Sequence, residues 1–218
     1  MRPGETPSTR AAFLISSQTV TMKAVKPNWW QPGVIFETVK TFVVVICLAL
    51  LIRAFLIQPF IVDGSSMVPN YHNNDYLLTD KLTYRFRDPK RGEVVVFRYP
   101  RNPAENYIKR VVGLPGETVE IKGDLVIIKN AANPGGITLA EDYANIGDAP
   151  TPFATDMTTT LGDDQYFVLG DNRHASSDSR FFGPLDRQYL IGRPILRLYP
   201  LTSLSVLKGA PDQLATHR

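Results

Sequence analysis

From Val34 to Val62 the only charged residues are Glu37, Lys40 and Arg53. This run constrains the chain more than any other feature, because lipid accepts only segments that satisfy their own backbone hydrogen bonds. The cleanest part, TFVVVICLALLI from Thr41 to Ile52, is too short on its own to span a bilayer and is compatible with a buried core helix. However, AFLI follows Arg53 and VIF precedes Glu37. At about 1.5 Å per residue the whole segment from Ile35 to Ile57 crosses the roughly 30 Å of a hydrocarbon core. Glu37 and Lys40 then lie at one interface. Arg53 lies near the other, where its stem can snorkel toward headgroups. Pro59 is expected to end the helix. Trp29 and Trp30 fit an interfacial aromatic belt, with a loop tucked on the domain as the alternative.

Charge sets the expected orientation. Arg2, Arg10, Lys23, Lys26 and Lys40 precede or enter the span, against Glu5 and Glu37. The positive-inside rule places this tail in the cytoplasm and everything after Pro59 outside. The leader is long and lacks a small-x-small site after the apolar run, unlike a cleaved signal peptide. The expected organisation is a cytoplasmic tail over 1–33, a transmembrane anchor over 34–57 in contact with membrane lipid, a β-rich domain over 58–207, and a polar C-terminal tail over 208–218. The protein is thus expected to be single-pass in the cell membrane, with its domain on the extracytoplasmic side.

After Gln58 the pattern changes to short strands separated by Gly and Pro. EVVVFRY (Glu93–Tyr99), YIKRVV (Tyr107–Val112), TVEI (Thr118–Ile121), LVII (Leu125–Ile128), YFVL (Tyr166–Leu169) and ILRLY (Ile195–Tyr199) are rich in β-branched and aromatic residues. The fold class is therefore mainly β, a barrel-like antiparallel sheet behind one N-terminal helix. Residues 129–165, with NPGG, GDAPTP and TTTLGDD, read as a loop-rich excursion without a second core. A formal charge of only +3 argues against a nucleic-acid partner. One cysteine, Cys47, reads as a small buried hydrophobe. His72, His174 and His217 show no metal-ligand spacing, so neither metal nor cofactor is expected.

Three polar clusters interrupt the β region: GSSMVPN (Gly64–Asn70), YIKRVVGLPGE (Tyr107–Glu117) and GDNRHASSDSRFFGP (Gly170–Pro184). In a strand, Tyr107, Lys109 and Val111 share a face. A lysine buried there would lose part of its affinity for a proton, and one brought toward pKa 7–8 can act as a general base. A lysine whose head reaches water at the sheet edge remains the alternative. A serine between glycine and proline is ordinarily a turn residue. The third cluster fits either a solvated loop or a network of ion pairs and hydroxyls.

Taken together, these clusters resemble the type I signal peptidase family, whose catalysis uses a serine and a lysine. GSSM followed by Pro69 resembles the serine box, DYLLTDK (Asp75–Lys81) the strand box after it, YIKRVVGLPGE the lysine box, and GDNRHASSDSR the last box. The resemblance implies Ser66, directly before Met67, as nucleophile, Lys109 as general base and Ser176 as the hydroxyl that orients the lysine. It implies structural ion pairs of Asp171 with Arg110 and of Asp178 with Arg180. Its substrates would be secreted preproteins with small residues at the first and third positions before the cut. Some members place a serine two positions before the nucleophile. Here Gly64 stands there, so the oxyanion would rely on backbone donors, with Ser66 N–H foremost. Asn70 stands where threonine is common, and His174 where an acidic or amide residue is.

Rival readings have specific signatures. A Ser–Lys autoprotease of the SOS-repressor type would carry an N-terminal DNA-binding helix-turn-helix where this chain has its apolar run. A Ser–His–Asp hydrolase would need a histidine such as His72, and no G-x-S-x-G elbow occurs. Ser205-Val206-Leu207-Lys208 matches S-x-x-K without its partner motifs. A membrane-tethered β-domain that only binds a partner would be free to lose Ser66 or Lys109, and both are present.

Overall fold

A computed structural model describes residues 32–146 and 155–207. The Trp29–Trp30 pair, the basic residues before the span other than Lys40, and the tail from residue 208 lie outside the described residues. Helix α1 spans Pro32–Phe55. Proline opens it at a position where its missing N–H costs nothing. Its 24 residues make about 36 Å, long and apolar enough to cross a membrane. Every residue from Gly33 to Arg53 is exposed, which sets α1 apart from a buried core helix. Thr38 and Thr41 return their hydroxyls to the carbonyls of Val34 and Glu37, both at 2.8 Å, so neither hydroxyl is left bare. Cys47 is exposed on this helix rather than buried, because nothing among the described residues covers α1 there.

The helix stops earlier than Pro59. Strand β1 (Ile57–Ile61) pairs antiparallel with β2 (Tyr76–Asp80), and Pro59 sits inside β1, at an end of the sheet where a missing donor is tolerated. The six strands read from sequence are all present: β3 (Val94–Tyr99), β4 (Asn102–Gly113), β5 (Thr118–Lys122), β6 (Leu125–Asn130), β9 (Gln165–Leu169) and β11 (Leu190–Tyr199). The main antiparallel sheet runs β1-β2-β11-β3-β4-β9-β10, with β10 at Leu185–Asp186 and the short β12 (Ser205–Val206) on β11. It ends at β1 and β10 without pairing them, so the expected barrel-like closure is not made.

The excursion over 129–165 is more ordered than its composition suggests. It contributes β7 (Asn133–Thr138) and β8 (Met157–Thr160), the two outer strands of a second sheet ordered β7-β6-β5-β8. Outer strands need little apolar alternation, which is why NPGGIT and MTTT carry so weak a strand signal. This sheet has a core of its own, built on Val119, Ile121, Val126 and Ile128 against Phe167 and Leu169.

Two further clusters flank β3 with a period of two. Val95 and Phe97 pack with Val111, Tyr166 and Val168, while Val94 packs with Val62, Met67, Tyr71 and Leu77. Gly113 marks the crossing of β4 toward the second sheet. A Cβ there would lie 2.5 Å from Val119 Cγ2 and 2.9 Å from Phe167 Cβ. Gly113→Ala is therefore expected to lower unfolding free energy by about 1–3 kcal/mol, as overpacking does, read from denaturant melts of the purified protein.

Candidate active site

The loop between β1 and β2 carries the first cluster. Met67, 1% exposed, drives its side chain into the cluster of Val62, Tyr71 and Leu77. Tyr71 N–H closes a turn on Met67 O at 2.9 Å, and Val68 N–H on Ser65 O at 3.2 Å. Burying the residue after Ser66 turns the Ser66 hydroxyl toward β4. The neighbouring Ser65 is exposed.

On β4, Lys109 pairs with Val95 across the sheet and is only 4% exposed. Its Nζ lies 2.7 Å from Ser66 Oγ and 2.9 Å from the carbonyl oxygen of Ile108. Burial lowers its pKa from 10.5 to about 8, against the pull of the Asp178 and Asp171 carboxylates and with help from the Arg180 guanidinium. As an ammonium Nζ donates to the hydroxyl. As a neutral amine its lone pair can accept the hydroxyl proton, leaving an alkoxide-like oxygen able to attack a carbonyl. His72 and His174 are exposed and bond to neither group. His217 lies outside the described residues. The S-x-x-K serine, Ser205, donates to Ser203 O and lies on the short β12.

The third cluster clamps this pair from the far side. Asn172 N–H donates to Ser66 O at 3.0 Å, and Asn172 Nδ2 to Ser65 O at 3.2 Å. Gly170 makes that approach possible: a Cβ on it would fall 2.5 Å from Ser66 O and 2.5 Å from Ser176 Cβ, and closer still to Ser176 Oγ. Ser176 Oγ is buried beside Gly170, near enough to Asp178 to favour its charged form, yet has no partner at hydrogen-bond geometry. It makes no hydrogen bond to Lys109, whose second contact is the Ile108 carbonyl.

The expected ion pairs are both present as bidentate contacts. Arg110 reaches Asp171 at 2.8 and 2.6 Å, and Arg180 reaches Asp178 at 2.8 and 2.7 Å. Burial works against the Asp178 charge, but the Arg180 guanidinium and the Gly170 N–H outweigh it and hold that carboxyl below the usual range. Asn70, the departure from threonine, donates from one amide to both Asp171 Oδ2 and Tyr143 O at 2.8 Å.

Sequence reading missed the strap that runs behind these pairs. Glu141 takes a bidentate bond from buried Arg173, at 2.6 Å on each arm, and accepts from Tyr143 OH at 2.8 Å. The Tyr143 ring lies 4.1 Å from the Arg110 guanidinium. Asn145 bridges to Asn172 through Asn145 N–H to Asp171 O, 2.7 Å, and Arg173 N–H to Asn145 O, 3.1 Å. The only sequence signal was a glutamate and an aromatic inside an otherwise polar excursion. A groove of about 540 Å³ runs past the pair. Phe60–Ser66 line one side of it and Glu105–Lys109 the other, with Leu77 and Val96 between.

A family model described as signal peptidase, peptidase S26, matches residues 35–199, which hold all of these residues. The chain belongs to the peptidase S26 signal peptidase family. Signal peptidase I of Leptolyngbya laminosa is 36% identical over 185 residues, 82% of this chain and 86% of that protein. Signal peptidase I of Bacillus amyloliquefaciens is 31% identical over 201 residues, 86% of this chain and 100% of that protein. A solved signal peptidase I from Enterococcus faecalis V583 aligns with a TM-score of 0.42 at 35% identity, covering 49% of this chain and 97% of its own. As a member of the S26 family the chain is a hydrolase, a serine peptidase whose substrates are preproteins bearing signal peptides.

Because a buried ion pair, Glu141 with Arg173, ties the strap to the third cluster, Glu141→Gln tests it. Removing the carboxylate from a guanidinium that is 0% exposed is expected to cost about 3–5 kcal/mol in a denaturant melt. The exposed control Glu105→Gln should stay within about 0.5 kcal/mol of wild type.

Proposed function

We propose that Ser66 is the nucleophile and Lys109 the general base of signal-peptide cleavage. The observation that carries this reading is a lysine amine, buried and lowered to about 8, held 2.7 Å from a serine hydroxyl in a groove. Ser66 Oγ attacks the scissile carbonyl while the neutral amine takes its proton. The amine nitrogen of the leaving segment then receives that proton. The same lysine next activates water against the acyl-enzyme, which releases the signal peptide with a free carboxylate. Ser66 N–H, which bonds to no group among the described residues, is the proposed oxyanion donor. Ser176 is proposed as the lysine-orienting hydroxyl, since a buried hydroxyl without a partner calls for one. The pairs Arg110–Asp171 and Arg180–Asp178 hold the two loops in place.

The groove favours an extended substrate. β1 is paired on one side only, and Asn106–Lys109 of β4 pair with β3 alone among the described residues. A peptide laid between two free strand edges can bond to either. Its first and third residues before the cut then share a face, since alternate side chains of a strand point the same way. The proposed preference for small residues at both positions would then be set by one wall of the groove. The segment of about 34–57, most of it α1, is proposed as a single transmembrane anchor in contact with lipid, with 58–207 as an extracytoplasmic catalytic domain between two tails.

Two experiments test this. Ser66→Ala should abolish preprotein cleavage while Ser65→Ala retains it, and Lys109→Arg, which cannot deprotonate, should be as inactive as Lys109→Ala. Since the neutral amine is the active form, kcat/KM of the wild type should rise with pH through about 8 and level off above it. A profile flat from pH 6 to 10, or near-normal turnover by Lys109→Arg, removes the lysine base. For topology, protease added to intact spheroplasts should digest the domain and leave a short anchored stub, and protection of the whole chain would reverse the orientation.

A further inference from the structure

A second concavity, of about 510 Å³, lies between β2, α2 (Thr83–Phe86), β4 and the turn before β11. Lys81, Arg85, Arg98 and Arg187 line it together with the amides of Gln58 and Asn106, and no carboxylate does. Arg187 pairs with Asp88 and donates to Tyr84 O at 3.2 Å. Arg85 and Arg98 have no acidic partner among the described residues. The acidic residue on the adjoining strand, Asp80, is occupied by the N–H groups of Leu82 and Thr83 and by the Thr83 hydroxyl. Arg85 and Arg98 therefore bring to one hollow two cations without an acidic partner among the described residues, beside Lys81 and Arg187. Like charges gathered in this way repel, and a bound anion relieves the repulsion.

Position and shape narrow the ligand. Arginine forks match the oxygens of a phosphate group bidentately, and amide side chains add neutral donors. The wall begins at Gln58, three residues after α1 ends at Phe55, and Lys81 N–H donates to Leu56 O at 3.0 Å. Leu82 and Phe86, the latter 81% exposed, flank Arg85 with apolar surface. We propose that this concavity is a binding site for an anionic phosphate ester. The headgroup of an acidic phospholipid is the source that the neighbouring candidate span and apolar rim favour, and soluble phosphate is the other source of the same chemistry.

The test uses the full chain in dodecyl maltoside. Its melting temperature is followed while dihexanoyl-phosphatidylglycerol, dihexanoyl-phosphatidylcholine or sodium phosphate is added, since a ligand of the native state raises it in proportion to occupancy. Phosphatidylglycerol should raise it and phosphatidylcholine much less. A rise with sodium phosphate as well would mean that the site takes phosphate regardless of the lipid. The double variant Arg85→Gln/Arg98→Gln should bind phosphatidylglycerol at least about tenfold more weakly, since each lost contact is a charge-assisted hydrogen bond. It should still cleave a preprotein at the wild-type rate in detergent, while Arg98→Lys keeps most of the rise. If the double variant melts lower before any ligand is added, the single variants Arg85→Gln and Arg98→Gln are titrated instead, and each should weaken binding. Equal rises with both lipids, no rise with any ligand, or a rise that survives the arginine replacements would overturn the proposal.

Discussion

A lysine amine taken out of water is the constraint on which the rest of this domain depends. The fall of Lys109 from 10.5 to about 8 corresponds to roughly 3 kcal/mol by which its surroundings disfavour the ammonium. The domain bears that cost to keep about a tenth of the amine neutral near pH 7. Asp171 and Asp178 stand close enough to undo it, since both pull the lysine back toward its charged form. Each is taken up by an arginine of its own, and the Arg180 guanidinium also opposes the ammonium directly. The paired arginines thus serve the lowered lysine as much as the loops they hold, because an unpaired carboxylate there would favour the ammonium that burial disfavours.

Buried ion pairs are weak sources of net stability, since each ion gives up its hydration. Here their arrangement explains their presence better than their energy does. Arg110 and Lys109 are successive residues of β4, so their side chains leave opposite faces of the strand. One reaches Ser66. The other reaches Asp171, which lies next to Asn172, the residue whose N–H holds Ser66 O. A single strand therefore sets the lysine directly and, around the other side, the carbonyl of the residue it faces. A slip of one position in β4 would exchange the two faces and lose both.

Most of this was legible in the chain where the local pattern was strong. The apolar run and the six strands follow from period and propensity, while the two carboxylate–arginine pairs came from the family resemblance, since Arg110 and Asp171 stand 61 residues apart. Legibility failed where structure rests on non-local contact. β7 and β8 are outer strands with little to alternate against. Glu141 meets Arg173 across 32 residues, Asn172 meets Ser65 across 107, and no local pattern links them. Gly170 looks like any turn glycine until a Cβ is placed on it and strikes the Ser66 carbonyl. Ser176 shows the reverse case. The motif names it, yet its hydroxyl rests without a partner while the Ile108 carbonyl takes the second place at Lys109.

That arrangement has a consequence for how the base is held. A carbonyl oxygen only accepts, so the Ile108 contact can be kept by the ammonium, and by the neutral amine only through its N–H. The lone pair is then left free to point at Ser66 Oγ. The backbone acceptor therefore helps to orient the amine without drawing on the electrons proposed to receive the serine proton. Because it belongs to the residue just before Lys109 on the same strand, it moves with the base whenever β4 shifts.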